Sequence, residues 1–94
     1  MASNGISKPF YMKNLRNREQ WIALVALYRH RCVSCFKRLG WRKLTVDHVV
    51  PEHLGGADAI DNIQPLCNPC NAGKFRKTTD YRGDFEKRWS MLRK

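Results

Sequence analysis

Two C-x-x-C pairs, Cys32/Cys35 and Cys67/Cys70, are the residues of this sequence best suited by type and spacing to hold a metal ion. Each pair can form a tight knuckle whose two thiolates share one ion, and four thiolates complete the tetrahedron of a structural Zn²⁺. In a reducing compartment this reading is favoured over two disulfides; redox C-x-x-C motifs or buried free thiols are the alternatives. His30 precedes the first knuckle as a competing donor, but four cysteines already fill the shell. Between the knuckles lie Asp47-His48, Gly55-Gly56 and Asn62, and Asn71 directly follows Cys70. A zinc staple would therefore draw a carboxylate, an imidazole and an amide oxygen into one neighbourhood. Those are the parts of a hard-metal site beside a general base.

The elements that must position these groups follow from the hydrophobic pattern. Asn17 with Gln20 is a capping box, and Trp21, Leu24, Val25 and Tyr28 then mark one face of a helix over 17–30. Residues 1–16 lack periodicity and read as an arm, either partly disordered or packed by Phe10 and Tyr11. Leu44 to Val50 is rich in β-branched residues and reads as a strand stopped by Pro51. A loop with Gly55-Gly56 at its tip leads to a short second strand over Asn62–Leu66, where Pro65 requires an edge or irregular position. Asn68-Pro69 reads as a helix cap followed by first-turn proline, and a last helix over 84–93 carries Phe85, Trp89 and Leu92 on one face. The whole is expected to be one α+β domain over 1–94, with a zinc-stapled core at 32–78. Trp21, Tyr28, Phe85 and Trp89 are its expected aromatic core.

Charge points to the partner. Eighteen Lys and Arg against eight Asp and Glu give a formal net charge of +10. Four thiolates with one Zn²⁺ would lower this by about two, to ~+8. Such an excess attracts polyanions regardless of their sequence, and nucleic acid is the leading one. Arg42, Lys43, Lys74, Arg76 and Lys77 flank the motifs as phosphate contacts; His53 sits in the loop as a further, weaker one. No run of ~18 apolar residues and no secretory layout is present, so a cytoplasmic, non-membrane protein is expected.

The stretch Cys32–Lys74, with C-V-S-C, V-D-H-V-V-P, G-G, D-N-I-Q-P-L-C-N-P-C-N and the following A-G-K in order, resembles the HNH endonuclease family in its four-cysteine form. The resemblance implies a ββα-metal core, a β-hairpin packed on a helix, with flanking N- and C-terminal helices. It implies that His48 is the general base and that Asp47 and Asn71 hold one catalytic divalent ion. Asn62 would hold the hairpin loop and orient the base. Asn71 stands where many members have a histidine; with only oxygen donors, the pair suits Mg²⁺ or Mn²⁺ better than Zn²⁺. Imidazole, with an ordinary pKa of ~6.5, can accept a proton near neutrality. In an ideal strand Asp47 and His48 point to opposite faces, so a shared site requires a bend near Pro51.

The expected activity is therefore hydrolysis of DNA phosphodiester bonds, nicking double strands with little sequence specificity, since so short a chain holds no obvious reading domain. Partner proteins of a phage packaging or restriction complex would supply targeting. The rival is a non-catalytic zinc-ribbon module that binds nucleic acid, or an adaptor of a phage packaging or restriction complex. It shares the cysteines and the charge but gives no reason for the Asp47-His48 and Asn62/Asn71 positions.

Overall fold

The computed structural model describes residues 18–92. The expected arm over 1–16, the capping residue Asn17 and the last turn at 93 lie outside them. The described residues form three α-helices and one hairpin, α1 (Arg18–Leu27), β1 (Thr45–His48), β2 (Ile63–Leu66), α2 (Asn68–Lys74) and α3 (Arg82–Leu92), with single 3-10 turns at Glu52–Leu54 and Ile60–Asn62 in the loop between the strands. Strands β1 and β2 pair antiparallel, with Thr45 opposite Leu66, Asp47 opposite Gln64 and His48 opposite Ile63. With α2 following β2 directly, this is a ββα core flanked by α1 and α3, an α+β fold as expected.

Helix α1 stops at Leu27, short of the expected His30, because Arg29 and His30 both take positive φ (60° and 58°). That left-handed pair turns the chain into the first knuckle, where the Cys32 amide donates to the Lys37 carbonyl and the Phe36 amide to the Cys32 carbonyl. The Val33 amide donates to the Pro65 carbonyl at 3.0 Å, stitching the knuckle to β2. Pro65 is tolerated because a two-stranded sheet has only edge strands. Cys67, not Asn68, stands at the N-cap of α2, with Pro69 in the first turn, where its missing N–H costs nothing.

Trp21, Leu24 and Val25 of α1 meet Val33, Leu44, Ile63, Leu66 and Phe85 in one buried cluster. Phe85 is its aromatic centre, edge-on to Tyr28 at 5.2 Å and tilted against Phe36 at 5.1 Å. Burying a side chain of this kind is worth ~1.5–3 kcal/mol, so α3 is held chiefly through Phe85. Trp89, one turn on, is only partly buried at the rim. The core thus takes in Ile63, opposite His48, and Leu66 of β2, with Ile60 of the loop packed against it.

Candidate functional site

The thiols of Cys32, Cys35, Cys67 and Cys70 come together, with their sulfur atoms all within 4.8 Å of one another. Cys35 Sγ lies 3.7 Å from Cys67 Sγ, and the Cys35 amide points at Cys32 Sγ at 3.5 Å. Burial pushes the Cys70 thiol up to about 12, with further raising from the neighbouring thiols, and raises Cys67 as well. Cys32 is also pushed up by burial, but backbone hydrogen bonds around it outweigh this and leave it below the usual value. Four sulfur donors at this spacing fit a tetrahedral Zn²⁺, which would replace their protons. His30 is not part of the group.

The seam between β1 and α2 holds the next set of groups. Asn71 donates from Nδ2 to Thr45 Oγ1 at 2.7 Å. Asp47, on the same strand face as Thr45, is buried, accepts from Gln64 Nε2 at 2.9 Å and pairs with Lys74 Nζ at 3.2 Å. The Lys74 ammonium is wholly enclosed and also donates to the carbonyls of His48 (3.1 Å) and Val49 (3.2 Å). The expected reach of Lys74 to phosphate is thereby corrected, because its three donors are spent inside the protein. Both expected ligands of the catalytic ion, Asp47 and Asn71, reach the seam but are bonded to separate partners. The carboxylate already has its countercharge, so this arrangement does not fit a resident divalent ion: a second cation could enter only by displacing the ammonium.

His48 faces the other way. No bend separates it from Asp47, since regular pairing runs through His48 and the chain turns only at Val49 and Val50. Its Nε2 lies 2.8 Å from Asp58 Oδ1 and 3.9 Å from Glu52 Oε1, while Nδ1 makes no hydrogen bond among the described residues. Nothing in the sequence pattern singles out Glu52 and Asp58; two acidic residues four and ten positions after a motif histidine are the available signal.

The loop that presents these carboxylates is tightly built. Asn62 accepts from the Val50 amide through Oδ1 at 3.0 Å, and donates through Nδ2 to the carbonyls of Val50 (3.0 Å) and Ala57 (2.8 Å). Gly55 takes φ +92°, and a Cβ on Gly56 would lie 1.7 Å from the Val50 carbonyl oxygen. Only glycine fits at the second position, which accounts for the Gly-Gly pair. Gln64, fully buried, adds a clamp, donating to Thr79 O and accepting from the Tyr81 amide, so that the chain after α2 is tied to the hairpin.

Arg42, Lys43, Arg76 and Lys77 are exposed, as is His53. Arg42 stacks on Trp41 at 4.8 Å and Arg76 on Phe75 at 5.2 Å. Phe75 is 72% exposed and takes φ 54°, an unusual conformation for a bulky residue. Among the described residues no helix is long and apolar enough to cross a membrane.

Comparison with protein families matches residues 32–87 to the HNH endonuclease family. No curated protein and no solved structure matches the chain. The matched span covers more than half of the chain and includes both knuckles, the hairpin, the glycine loop and α2. With four convergent cysteines stapling a ββα core, the chain belongs to the HNH endonuclease family.

Proposed function

We propose that this protein is an endonuclease that hydrolyses DNA phosphodiester bonds one strand at a time, with His48 as general base. The observation that carries this reading is the His48–Asp58 contact at 2.8 Å. A carboxylate accepting from Nε2–H fixes the imidazole tautomer and leaves the lone pair on Nδ1. His48 is one-fifth exposed, enough to meet water at a bound phosphate.

Water gives a proton to Nδ1 as its oxygen attacks phosphorus in line with the 3′ oxygen. The P–O3′ bond breaks, leaving a 5′-phosphate, and the 3′ oxygen takes a proton from solvent. Asp58 stabilises the imidazolium that forms. The exposed guanidinium and ammonium groups of Arg42, Lys43, Arg76 and Lys77 hold the DNA through its phosphates, which carry no sequence information. Low sequence specificity follows, with targeting left to a partner such as a packaging or restriction complex.

The family resemblance implies a catalytic Mg²⁺ or Mn²⁺ at Asp47 and Asn71, a place the enclosed Lys74 ammonium already fills, on the face of β1 turned away from His48. The ion would have to exchange with the Lys74 ammonium, and proton transfer to His48 does not depend on it. Supercoiled plasmid incubated with the protein in Mg²⁺ or Mn²⁺ tests the reading. Nicked circles are expected from the wild type, and none above background from His48→Ala. Cleavage that survives in His48→Ala removes His48 as the base, and a wild type that binds DNA without cutting it favours the zinc-ribbon module instead.

A further inference from the structure

Outside the four cysteines, one other group of donor atoms among the described residues converges closely enough for a metal ion. His48 Nε2, a Glu52 carboxylate oxygen and an Asp58 carboxylate oxygen all lie within 4.8 Å of one another. Donors bound to one Zn²⁺ at ~2.0–2.2 Å sit about 3–3.5 Å apart. Asp58, at 2.8 Å from Nε2, would move back slightly, while Glu52, at 3.9 Å and 60% exposed, has the freedom to close in.

The charges around the group favour a cation. Lys and Arg outnumber acidic residues 18 to 8 in this chain, yet neither Glu52 nor Asp58 has an ion-pair partner among the described residues other than His48. Asp47, on the opposite face of the strand, does have one in Lys74. Two carboxylates thus converge on a single imidazole with no permanent positive charge. The backbone beneath them is held rigid by Asn62 and by the close approach of Gly56 to Val50.

We propose that His48, Glu52 and Asp58 form a site for a Zn²⁺-class transition-metal ion, whose binding switches the base off. The inhibitory half rests on His48 being the base. One imidazole with two carboxylates suits Zn²⁺, Co²⁺ or Ni²⁺ better than Mg²⁺, which prefers all-oxygen shells. The switch lies in the tautomer. Catalysis needs the proton on Nε2, facing Asp58, and the lone pair on Nδ1. An ion on Nε2 takes the lone pair of that nitrogen, so the proton moves from Nε2 to Nδ1, which becomes a donor that cannot accept a proton from water. It also takes Asp58 away as the partner of the imidazolium.

The test uses the full chain carrying one equivalent of Zn²⁺ on its cysteines, titrated with further Zn²⁺ by calorimetry. One additional equivalent is expected to bind, unaffected by millimolar Mg²⁺, and to bind at least tenfold more weakly in Glu52→Gln and in Asp58→Asn. Glu52 is exposed, so its substitution leaves the fold intact and keeps the comparison clean. In the plasmid assay the same Zn²⁺ concentration should stop nicking by the wild type, and the inhibition midpoint should rise at least tenfold in Glu52→Gln. Absence of the additional equivalent, or an equivalent that both variants bind unchanged, overturns the site. Binding as expected with nicking unaffected overturns the switch. A chain that never nicks under any condition defeats the nuclease reading and the switch together, while calorimetry still decides the ion site.

Discussion

The Lys74 ammonium lies 3.2 Å from Asp47 Oδ2, and both side chains are almost wholly removed from solvent. A lysine buried to this extent persists only when its charge is met and its protons are donated, and here the carbonyls of His48 and Val49 complete the set. The pair therefore fixes the end of β1 at the point where His48 leaves the strand.

Truncating one partner strands the other. Lys74→Met leaves a buried carboxylate without its cation and should cost about 3–5 kcal/mol, read as a lower urea midpoint. Asp47→Asn should be of comparable severity. The double variant should recover part of the loss, because no uncompensated charge is then left buried; strict additivity in the double-mutant cycle would show that the two side chains do not interact.

His48→Ala should lower the nicking rate by about 10²–10⁴-fold, the usual contribution of a general base. Asp58→Asn should cost less, about tenfold, because it removes the group that orients the imidazole and leaves the base itself in place. The DNA affinity of Asp58→Asn should be unchanged at fixed salt. A rate equal to the wild type's would show that Asp58 does not orient His48.

The cysteine site sets a pH dependence of two opposite signs. Zinc binds thiolates, so loading should release about three to four protons per ion near pH 7, measurable by calorimetry in buffers of different ionisation enthalpy. Zinc retention should fall as pH falls, and chelator treatment should unfold the chain. Without the ion, Cys70 is raised to about 12 and Cys67 is raised from the usual 9.0, so each favours the folded state below about pH 9. That part is lost as pH rises toward 12; the lowered Cys32 works in the opposite direction. Metal-free chain should accordingly gain no stability on moving from neutral to alkaline pH, whereas the zinc form gains it on moving from acid to neutral.

Phe75 combines φ 54° with 72% exposure, so it bears backbone strain without contributing to the core. Phe75→Gly should raise stability by up to about 1 kcal/mol, the relief of strain being partly offset by the freer unfolded chain. Thermal melting of the two zinc-loaded proteins checks this.

Replacing Arg42, Lys43, Arg76 or Lys77 with Ala should weaken binding to unrelated duplexes to the same degree. Each such substitution should reduce the slope of log K against log salt by about one. A variant that weakens one sequence selectively would show that its side chain reads a base.

Local spacing along the chain makes several elements legible. The knuckles, the β-branched strand, the proline in the first turn of α2 and the glycine pair each announce themselves within a few residues. The helix boundary at Leu27 does not, because the left-handed conformations of Arg29 and His30 are marked by no glycine or asparagine. Lys74 resembles any surface lysine until Asp47, 27 positions earlier, is seen to enclose it. Glu52 and Asp58 are hidden for the same reason: a carboxylate in a loop gains meaning only when the loop folds back on His48. Local patterns describe elements, and the partners of charged side chains are decided by how those elements meet.

The zinc knuckles bracket the hairpin, one before β1 and the other at the end of β2. An ion that stays on its four thiolates while the rest of the chain loosens would leave a loop whose two ends are already joined. Re-forming the hairpin then requires closing that loop alone, with much of the entropic cost of the encounter removed. The metal would serve as a memory of strand register, so that a transiently opened molecule returns to the pairing that sets Asp47 against Gln64 and turns His48 toward Asp58.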